Sequence, residues 1–261
     1  MIKIHCKMSK IIFTIVAMVS FITVSSHATQ TDNAHRVSSG SPLISSYDLN
    51  YEAQFNGMQI SAVHRFSRLD NGQYKETLEA KGILGKVTER AVFDISSDYQ
   101  IIPREHSYRR SLVGVKRTEK QLFDWSNGVV TYSKGKKKQP LEIQPGYMDT
   151  MSHKLQLRWD LAAQKNALTY PVISRGKLKQ YTYEVVGNEV ITTAIGPLNT
   201  TVIQRVEDKE SKATKVWLAT DWDYVMVRLH KMERGETQEM AFKGGQLNNQ
   251  TILPLDINTE N

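Results

Sequence analysis

Residues able to carry out acid–base or covalent chemistry are few in this sequence and form no recognised motif. Five histidines follow residue 28, and no two have the spacing of metal ligands on one element; they are His35, His64, His106, His153 and His230. Asp221 and Asp223 could form a carboxylate pair, but they lie in a predicted turn, where aspartate favours hydrogen bonds to the local backbone. The sequence has neither a Gly-x-Ser-x-Gly nucleophile elbow nor a glycine-rich phosphate loop. We therefore predict a non-enzymatic protein without catalytic residues, a metal site or a cofactor.

A second kind of chemistry, the recognition of anions, is indicated by a basic stretch from Arg104 to Lys120. Its candidate patch residues are Arg104, Arg109, Arg110, Lys116 and Arg117. Two interpretations remain open for this stretch: a solvated face of a sheet, or a patch that binds a phosphate-bearing or anionic lipid head group. A lysine-rich hairpin tip follows at 134–138, where lysines also discourage unwanted strand pairing.

The elements that must position these residues are mostly β-strands. Apolar and polar residues alternate from Tyr47 to Phe55, Asn56-Gly57 fits a tight hairpin turn, and the alternation then resumes. Similar segments follow along the chain, with one break in the alternation at Glu89 and a predicted turn at Gly187-Asn188. We predict a mainly β fold with 11–12 short strands in a single curved antiparallel sheet, either a half-open barrel or a β-roll.

One amphipathic helix is predicted at 149–164, begun by Asp149 or Thr150 and carrying an apolar stripe. This helix should pack on the concave face of the sheet. The space between them is either a filled core or a cavity for an apolar molecule. The residues that would line such a cavity are Tyr51, Phe55, Phe66, Met151, Leu155, Trp159, Tyr183 and Trp217.

Residues 1–28 have the features of an export signal. Three lysines precede or begin an apolar run from Ile11 to Val24, and Ser26-His27-Ala28 offers small residues for a signal peptidase. The run is short for a bilayer span, although a membrane anchor is the alternative interpretation. No cysteine follows the run, so we expect no lipid attachment and predict a periplasmic protein without a transmembrane span after cleavage.

The net charge and the composition of the remaining chain limit its function and suggest three regions. Loss of three lysines would reduce 34 basic residues to 31 against 27 acidic ones, so that the net charge falls from +7 to +4. This mild excess does not support nucleic-acid binding. We expect a flexible spacer at 29–43, a sheet domain at 44–243 and a polar tail at 244–261.

Several short motifs resemble a bacterial family named domain of unknown function 3108. They are Tyr47-Asp48-Leu49, Asn56-Gly57-Met58, Tyr99 to Pro103, Met148 to Arg158, and Lys215 to Asp221 followed by Tyr224 to Leu229. Met226 stands where that family commonly has proline. The resemblance covers residues 44–243 and implies an exported protein of the Gram-negative envelope with no assigned activity. It also implies a curved sheet around a helix, similar to periplasmic lipoprotein carriers, which hold acyl chains in such a concavity.

Three functional hypotheses follow. The first is a non-enzymatic periplasmic protein that binds a hydrophobic or amphipathic envelope molecule, such as a lipid or acyl chain, in the concave sheet. The second is a protein-interaction module of envelope assembly or maintenance, with a solid core and a docking face between Arg104 and Lys120. The third is an envelope hydrolase, which would require adjacent carboxylates or a buried histidine–acid pair. A carbon-lined cavity of about 300 Å³ or more between helix and sheet would favour the first hypothesis, and a filled interior the second.

Overall fold

The computed structural model describes residues 44–256, apart from residues 56–57, 208, 210 and 234 and the side chain of Phe55. The predicted signal at 1–28, the spacer at 29–43, the turn Asn56-Gly57 and the end of the predicted tail lie outside the described residues.

One antiparallel sheet makes up most of the described chain, as the alternating pattern predicts. Its strands are β1 Tyr47–Phe55, β2 Met58–Arg68, β3 Tyr74–Gly82, β4 Gly85–Ile95, β5 Ile101–Leu112, β6 Val115–Asp124, β7 Val129–Lys134, β8 Lys137–Glu142, β9 Thr169–Ser174, β10 Lys177–Thr193, β11 Gly196–Val206, β12 Lys212–Ala219, β13 Val225–Glu233, β14 Glu236–Leu247 and β15 Gln250–Thr251. They lie in the order β8-β7-β6-β5-β4-β3-β2-β1-β14-β13-β12-β11-β10-β9, with β15 on β14. The predicted mainly β, single-sheet fold is confirmed, with fifteen strands instead of 11–12.

The two edges of the sheet approach each other without a regular strand pair between β8 and β9. A single parallel bridge joins the segment after β8 to β9: the Met148 amide donates to the Pro171 carbonyl at 2.9 Å, and the Ile173 amide donates to the Met148 carbonyl at 2.7 Å. Apolar side chains from both edges pack at this seam, including Phe123 and Ile173. The result is a curled, nearly closed sheet with a defined interior.

The helix α1, Ser152–Ala162, lies in that interior and is shorter than the predicted 149–164. It starts late because Asp149 caps it from outside: the Asp149 carboxylate accepts hydrogen bonds from the amides of Met151 at 2.7 Å and Ser152 at 3.0 Å. Nine of its eleven residues are buried. Leu155 and Trp159 pack in one core cluster and Leu157 in another, so sheet residues surround the helix on more than one face.

Buried polar groups of α1 bond to loops at one end of the barrel. The Gln156 side chain accepts a hydrogen bond from the Ile101 amide at 2.9 Å and donates to the Tyr99 carbonyl at 3.2 Å. Arg158 donates twice to the Asp223 carbonyl, at 3.1 and 3.0 Å. These bonds place the later residues of α1 at the turns that precede β5 and β13. The helix therefore starts toward the opposite end of the barrel.

The sheet continues past the predicted boundary at residue 243. Strand β14 runs to Leu247, β15 follows, and Ile252 is buried in the main core cluster. The sequence pattern breaks at Gly244-Gly245 because the chain there packs too closely for side chains: a Cβ on Gly245 would lie 2.4 Å from the Asp48 carbonyl oxygen. The first part of the predicted polar tail is therefore strand and core.

Candidate binding site

Side chains pack together in the space between α1 and the sheet. Tyr51, Phe66, Met151, Leu155 and Trp159, five of the predicted cavity-lining residues, are buried in one core cluster there. Trp217 belongs to the same cluster but lies on the outer face of the sheet, opposite Arg228, and its indole N–H donates to Glu189. Phe66 stacks on Phe93 with 6.0 Å between ring centroids. Tyr183 is half-buried and its hydroxyl lies 3.0 Å from His153 Nε2, whereas the side chain of Phe55 is not described. Their packing holds the helix against the sheet. A ligand role for these residues remains a prediction.

The interior opens at the start of α1. Lys154 is exposed although its neighbours His153 and Leu155 are buried, and its ammonium interacts electrostatically with Glu89 on β4 and with Lys231 on β13. Strands β4 and β13 are separated in the sheet by β3, β2, β1 and β14, so a group close to both lies inside the curl. Water therefore reaches the interior at this end, where the β3–β4, β5–β6, β7–β8 and β9–β10 hairpin turns also lie.

One wall of this opening is apolar. Cross-strand partners continue the inner face beyond the core, with Ala80 opposite Val87 and with Met240 opposite Leu229. These four side chains are half-buried rather than buried. Directly paired residues lie on the same face of a sheet. Ala53 opposite Met240, and Ile60 opposite Ala53, connect the two pairs across β1 and β2, so the apolar surface is continuous and still in contact with water.

The adjoining wall is cationic. Val87 is paired with Arg110, and Arg110 is paired with Arg117 on the same face. Arg110 is buried, and its Nε has no hydrogen-bond partner among the described residues. Arg117 forms an ion pair with Glu119.

Arg175 reaches this wall from the β9–β10 turn across the seam. Burial lowers the pKa of Arg175, Glu119 opposes that change, and Arg117 adds to it. Tyr132 donates to the second Glu119 oxygen at 2.7 Å, and burial together with that carboxylate raises the pKa of Tyr132 to about 12. Arg117 and Arg175 thus both interact with the Glu119 carboxylate, and Arg110 lies opposite Arg117 on the neighbouring strand. Guanidinium groups gathered in this way suit a carboxylate or phosphate ligand. We call Ala80, Val87, Arg110, Arg117, Lys154, Arg175, Leu229 and Met240 the mouth.

The predicted basic patch is divided by the alternation of β5 and β6. Arg110 and Arg117 belong to the mouth, whereas Arg109 and Lys116 are exposed and adjacent in sequence to the inward pair. Arg104 is exposed and pairs with Asp94 at 2.5 Å. The five residues therefore do not form one docking surface.

Two histidine–glutamate pairs lie deeper than the mouth. His106 Nε2 is 2.8 Å from Glu89 Oε1, and the Thr150 hydroxyl donates to the same oxygen at 2.8 Å. Burial alone would raise the pKa of Glu89, but hydrogen bonds from His106 and Thr150 and the charge of Lys154 lower it to about 2. Burial likewise opposes the charging of His106, yet the bond to Glu89 raises the His106 pKa. The hydrogen bond between them thus favours the charged form of each group.

These pairs lack the geometry of a nucleophile relay. Thr150 Oγ1 and Glu89 both contact the same ring nitrogen of His106, at 3.2 and 2.8 Å. A relay needs the acid on one nitrogen and the nucleophile on the other. In the second pair, His64 Nε2 likewise lies 2.8 Å from Glu76 and 3.3 Å from the Tyr47 hydroxyl. Both clusters act as buried structural links, and the break in alternation at Glu89 is the sequence signal for the first.

A third histidine, His153, is held neutral beside them. Burial, followed by the charge of Lys154, lowers the pKa of His153 to about 3. Its Nδ1 lies 3.1 Å from the Asp149 carbonyl and its Nε2 lies 3.0 Å from the Tyr183 hydroxyl. The start of α1 is thus fixed by two histidines on neighbouring elements, with His106 reached through Thr150 and His153 held neutral.

Two surface pockets lie away from the mouth. The larger, about 560 Å³, has polar walls that include Asn188, Thr201 and Asp221; the smaller, about 200 Å³, includes Ile191 and Arg228. Neither has a residue of α1 in its wall. The Asp221 carboxylate accepts a hydrogen bond from Asn199 at 2.8 Å, whereas Asp223 accepts from Arg158 through its backbone carbonyl.

Within residues 44–256, in the part that the structure describes, no helix is long and apolar enough to cross a bilayer. No group of three or more histidine, cysteine, aspartate or glutamate residues in that part could hold a metal ion.

Comparison with known proteins agrees with this architecture. The family described as "Protein of unknown function (DUF3108)" matches residues 50–240, and no curated protein matches the sequence. A β-barrel-like protein of domain of unknown function DUF1849 from Brucella abortus is similar over 78% of this chain and 98% of its own, with 8% identity and a TM-score of 0.52. MucB is similar over 85% of this chain and 58% of its own, with 12% identity and a TM-score of 0.33. The first likeness supports the β-barrel-like fold alone.

Proposed function

Because this chain belongs to the DUF3108 family, whose function is unknown, we propose its function from its own geometry: it is a non-enzymatic periplasmic protein that binds an anionic amphiphile at the mouth. One observation carries the proposal: on the inner face of the sheet a half-buried apolar wall meets Arg110 and Arg117, and Arg175 reaches Arg117 from the β9–β10 turn. A fatty acid or an anionic lipid combines the two matching chemistries in one molecule.

The mouth could bind both parts of such a ligand. An acyl chain would cover the apolar wall from Val87 to Met240, and each 100 Å² of apolar surface removed from water contributes about 2.5 kcal/mol. The acidic head would bind the guanidinium groups of Arg110, Arg117 and Arg175, since guanidinium hydrogen-bonds carboxylate and phosphate in a bidentate manner. This differs from the predicted site, because the ligand lies beyond the start of α1 rather than between α1 and the sheet.

A binding role is also supported by what the buried polar groups do. The histidine–glutamate pairs bond within the core and do not present a nucleophile. We therefore infer no hydrolase activity. Location in the periplasm rests on the export features of residues 1–28 in the sequence.

The proposal is tested by binding of a dansyl-labelled fatty acid to the mature protein. Arg110→Gln with Arg117→Gln should weaken binding at least tenfold, and Arg175→Gln, at an exposed turn residue, should weaken it about threefold. Arg104→Gln with Arg109→Gln removes the same charge from the same region at exposed positions and should leave affinity unchanged. No binding by the natural protein, or equal losses in both double variants, would contradict the proposal.

A second candidate function, a protein-interaction module, is favoured by the filled space around α1. In that case the exposed Arg109 and Lys116 would carry the contact. Arg109→Glu with Lys116→Glu would abolish cross-linking to an envelope partner, whereas the Arg110 and Arg117 variants would not. Retention of the partner by the charge-reversed protein would reject this function.

A further inference from the structure

Three neighbouring hairpin turns form a continuous ridge at the rim of the mouth. We define the tip ridge as residues 80–87, 109–118 and 133–138, at the β3–β4, β5–β6 and β7–β8 turns. The first two turns are joined directly, because the Val113 amide donates to the Leu84 carbonyl at 2.9 Å. Gly85 permits this approach, since a Cβ there would lie 2.0 Å from the Ser111 carbonyl oxygen.

The tip ridge concentrates positive charge. Its three segments contain ten lysine and arginine residues and no acidic residue. Apart from Arg110 and Arg117 of the mouth, these are Lys81, Lys86, Arg109, Lys116, Lys134, Lys136, Lys137 and Lys138. Lys86 pairs with Glu79 at 2.7 Å. A field of this sign attracts an anionic surface over about one Debye length.

The tip ridge also exposes aliphatic side chains where turns are normally polar. Ile83 is 88% exposed, Val113 65% and Val115 61%. All three are at the two turns that the Val113–Leu84 hydrogen bond joins. Aliphatic tips surrounded by lysine and arginine are the composition of a segment that lies at a membrane interface, where the apolar groups enter the boundary of the acyl chains and the cations bind phosphate.

We propose that the tip ridge docks the protein onto an anionic lipid bilayer, with Ile83, Val113 and Val115 inserted and the surrounding cations on the lipid phosphates. The occupant is a bilayer because the apolar groups project from turn tips instead of forming a flat face with the aromatic residues typical of protein interfaces. This goes beyond the proposed ligand binding and does not depend on it. Docking in this way would direct the mouth toward the membrane.

The test is co-sedimentation of the mature protein with vesicles of phosphatidylcholine alone or mixed with phosphatidylglycerol. We expect binding to the mixed vesicles that weakens as salt increases, and at least tenfold weaker binding to phosphatidylcholine alone. Ile83→Ser with Val113→Ser should reduce partitioning about tenfold, and Lys136→Gln with Lys137→Gln should reduce it about fivefold.

Matched controls separate this surface from general stickiness. Leu253→Ser with Val190→Ser removes aliphatic side chains that are 60% and 58% exposed elsewhere, and Arg68→Gln with Lys75→Gln removes two charges near the opposite end of the barrel. Both should bind vesicles like the natural protein, with circular dichroism confirming the fold of every variant. Absence of vesicle binding, or binding that the tip variants do not change, would overturn the proposal. If the natural protein binds vesicles but does not bind the dansyl-labelled fatty acid, the ligand proposal alone is rejected.

Discussion

The two ends of the barrel interior differ in how completely their side chains are packed. At the closed end, α1 is packed by aromatic and aliphatic residues, and its buried Gln156 and Arg158 bond to loop carbonyls. At the mouth, the same inner face carries half-buried apolar residues, and buried Arg110 keeps an Nε without a partner among the described residues. The closed end has a buried atom of the same kind, Asp223 Oδ2, so the contrast rests on the half-buried apolar residues of the mouth. We therefore propose that the closed end provides stability and that the mouth provides binding.

The largest effect should come from the closed end. Trp159→Ala removes a buried ring from the contact between α1 and the sheet, and we expect a loss of about 3–5 kcal/mol in the free energy of unfolding. Val87→Ala, a truncation in the half-buried mouth, should cost about 1 kcal/mol or less. Urea denaturation followed by tryptophan fluorescence and circular dichroism measures both, and equal losses would remove the distinction between the two ends.

Acid should destabilise the start of α1 through His153. Its pKa falls from an ordinary value near 6.5 to about 3 on folding, so the unfolded chain binds a proton that the folded chain does not. Stability is therefore retained above about pH 6.5 and lost as the pH falls toward 3. At about 1.4 kcal/mol per pKa unit, we expect a loss of up to about 5 kcal/mol over that window. The loss should be smaller in His153→Gln, and urea midpoints at each pH would reveal it. Indistinguishable pH profiles for the two proteins would contradict this role.

At the mouth, arginine substitutions should affect binding more than folding. Arg110→Gln with Arg117→Gln should cost about 1.5–3 kcal/mol of ligand affinity but less than about 1 kcal/mol of stability, because the variant also removes crowded positive charge around one carboxylate. Isothermal titration with the fatty acid measures the loss of affinity, and urea denaturation measures the loss of stability. A stability loss larger than the affinity loss would assign these arginines to the core.

Between the two regions, Thr150 should have the smallest measurable effect. Thr150→Val removes the hydroxyl that donates to Glu89 at 2.8 Å and should cost about 1 kcal/mol. It should also raise the low pKa of Glu89, so that the acid-induced loss of stability, which begins near the ordinary glutamate pKa in both proteins, is smaller and ends at a higher pH. Carboxyl-carbon NMR titration of Glu89 measures this, with Thr88→Val, its neighbour on the other face of β4, as the control for changes near Glu89. An unshifted Glu89 titration would rule out the proposed hydrogen bond.

Most of the architecture was predictable from alternation, because one buried face forces a period of two along each strand. The errors came where that signal is interrupted. Gly187 lies in a bulge inside one long strand, β10, where Gly187-Asn188 predicted a turn, and Gly244-Gly245 hid the continuation of β14. The helix was predicted from its period, but its depth was not, since polar residues such as Gln156 and Asp160 are buried through bonds to distant partners.

The candidate site was harder to predict than the fold. The stretch from Arg104 to Lys120 indicated anion recognition, yet its division between two faces follows from the strand register, and Arg175 joins it only across the seam. The aromatic residues chosen for a cavity are apolar enough to line one, but the same property makes them core. Composition alone does not distinguish these outcomes, because both need large apolar side chains on the inner face.

Methyl NMR of the mature protein during titration with a saturated fatty acid tests most directly where a ligand binds. We predict that the methyl signals of Val87, Leu229 and Met240 shift with occupancy while those of Leu155 and Leu157 in the packed helix do not. Shifts confined to the helix methyls, or no shifts at all, would contradict a binding site at the mouth.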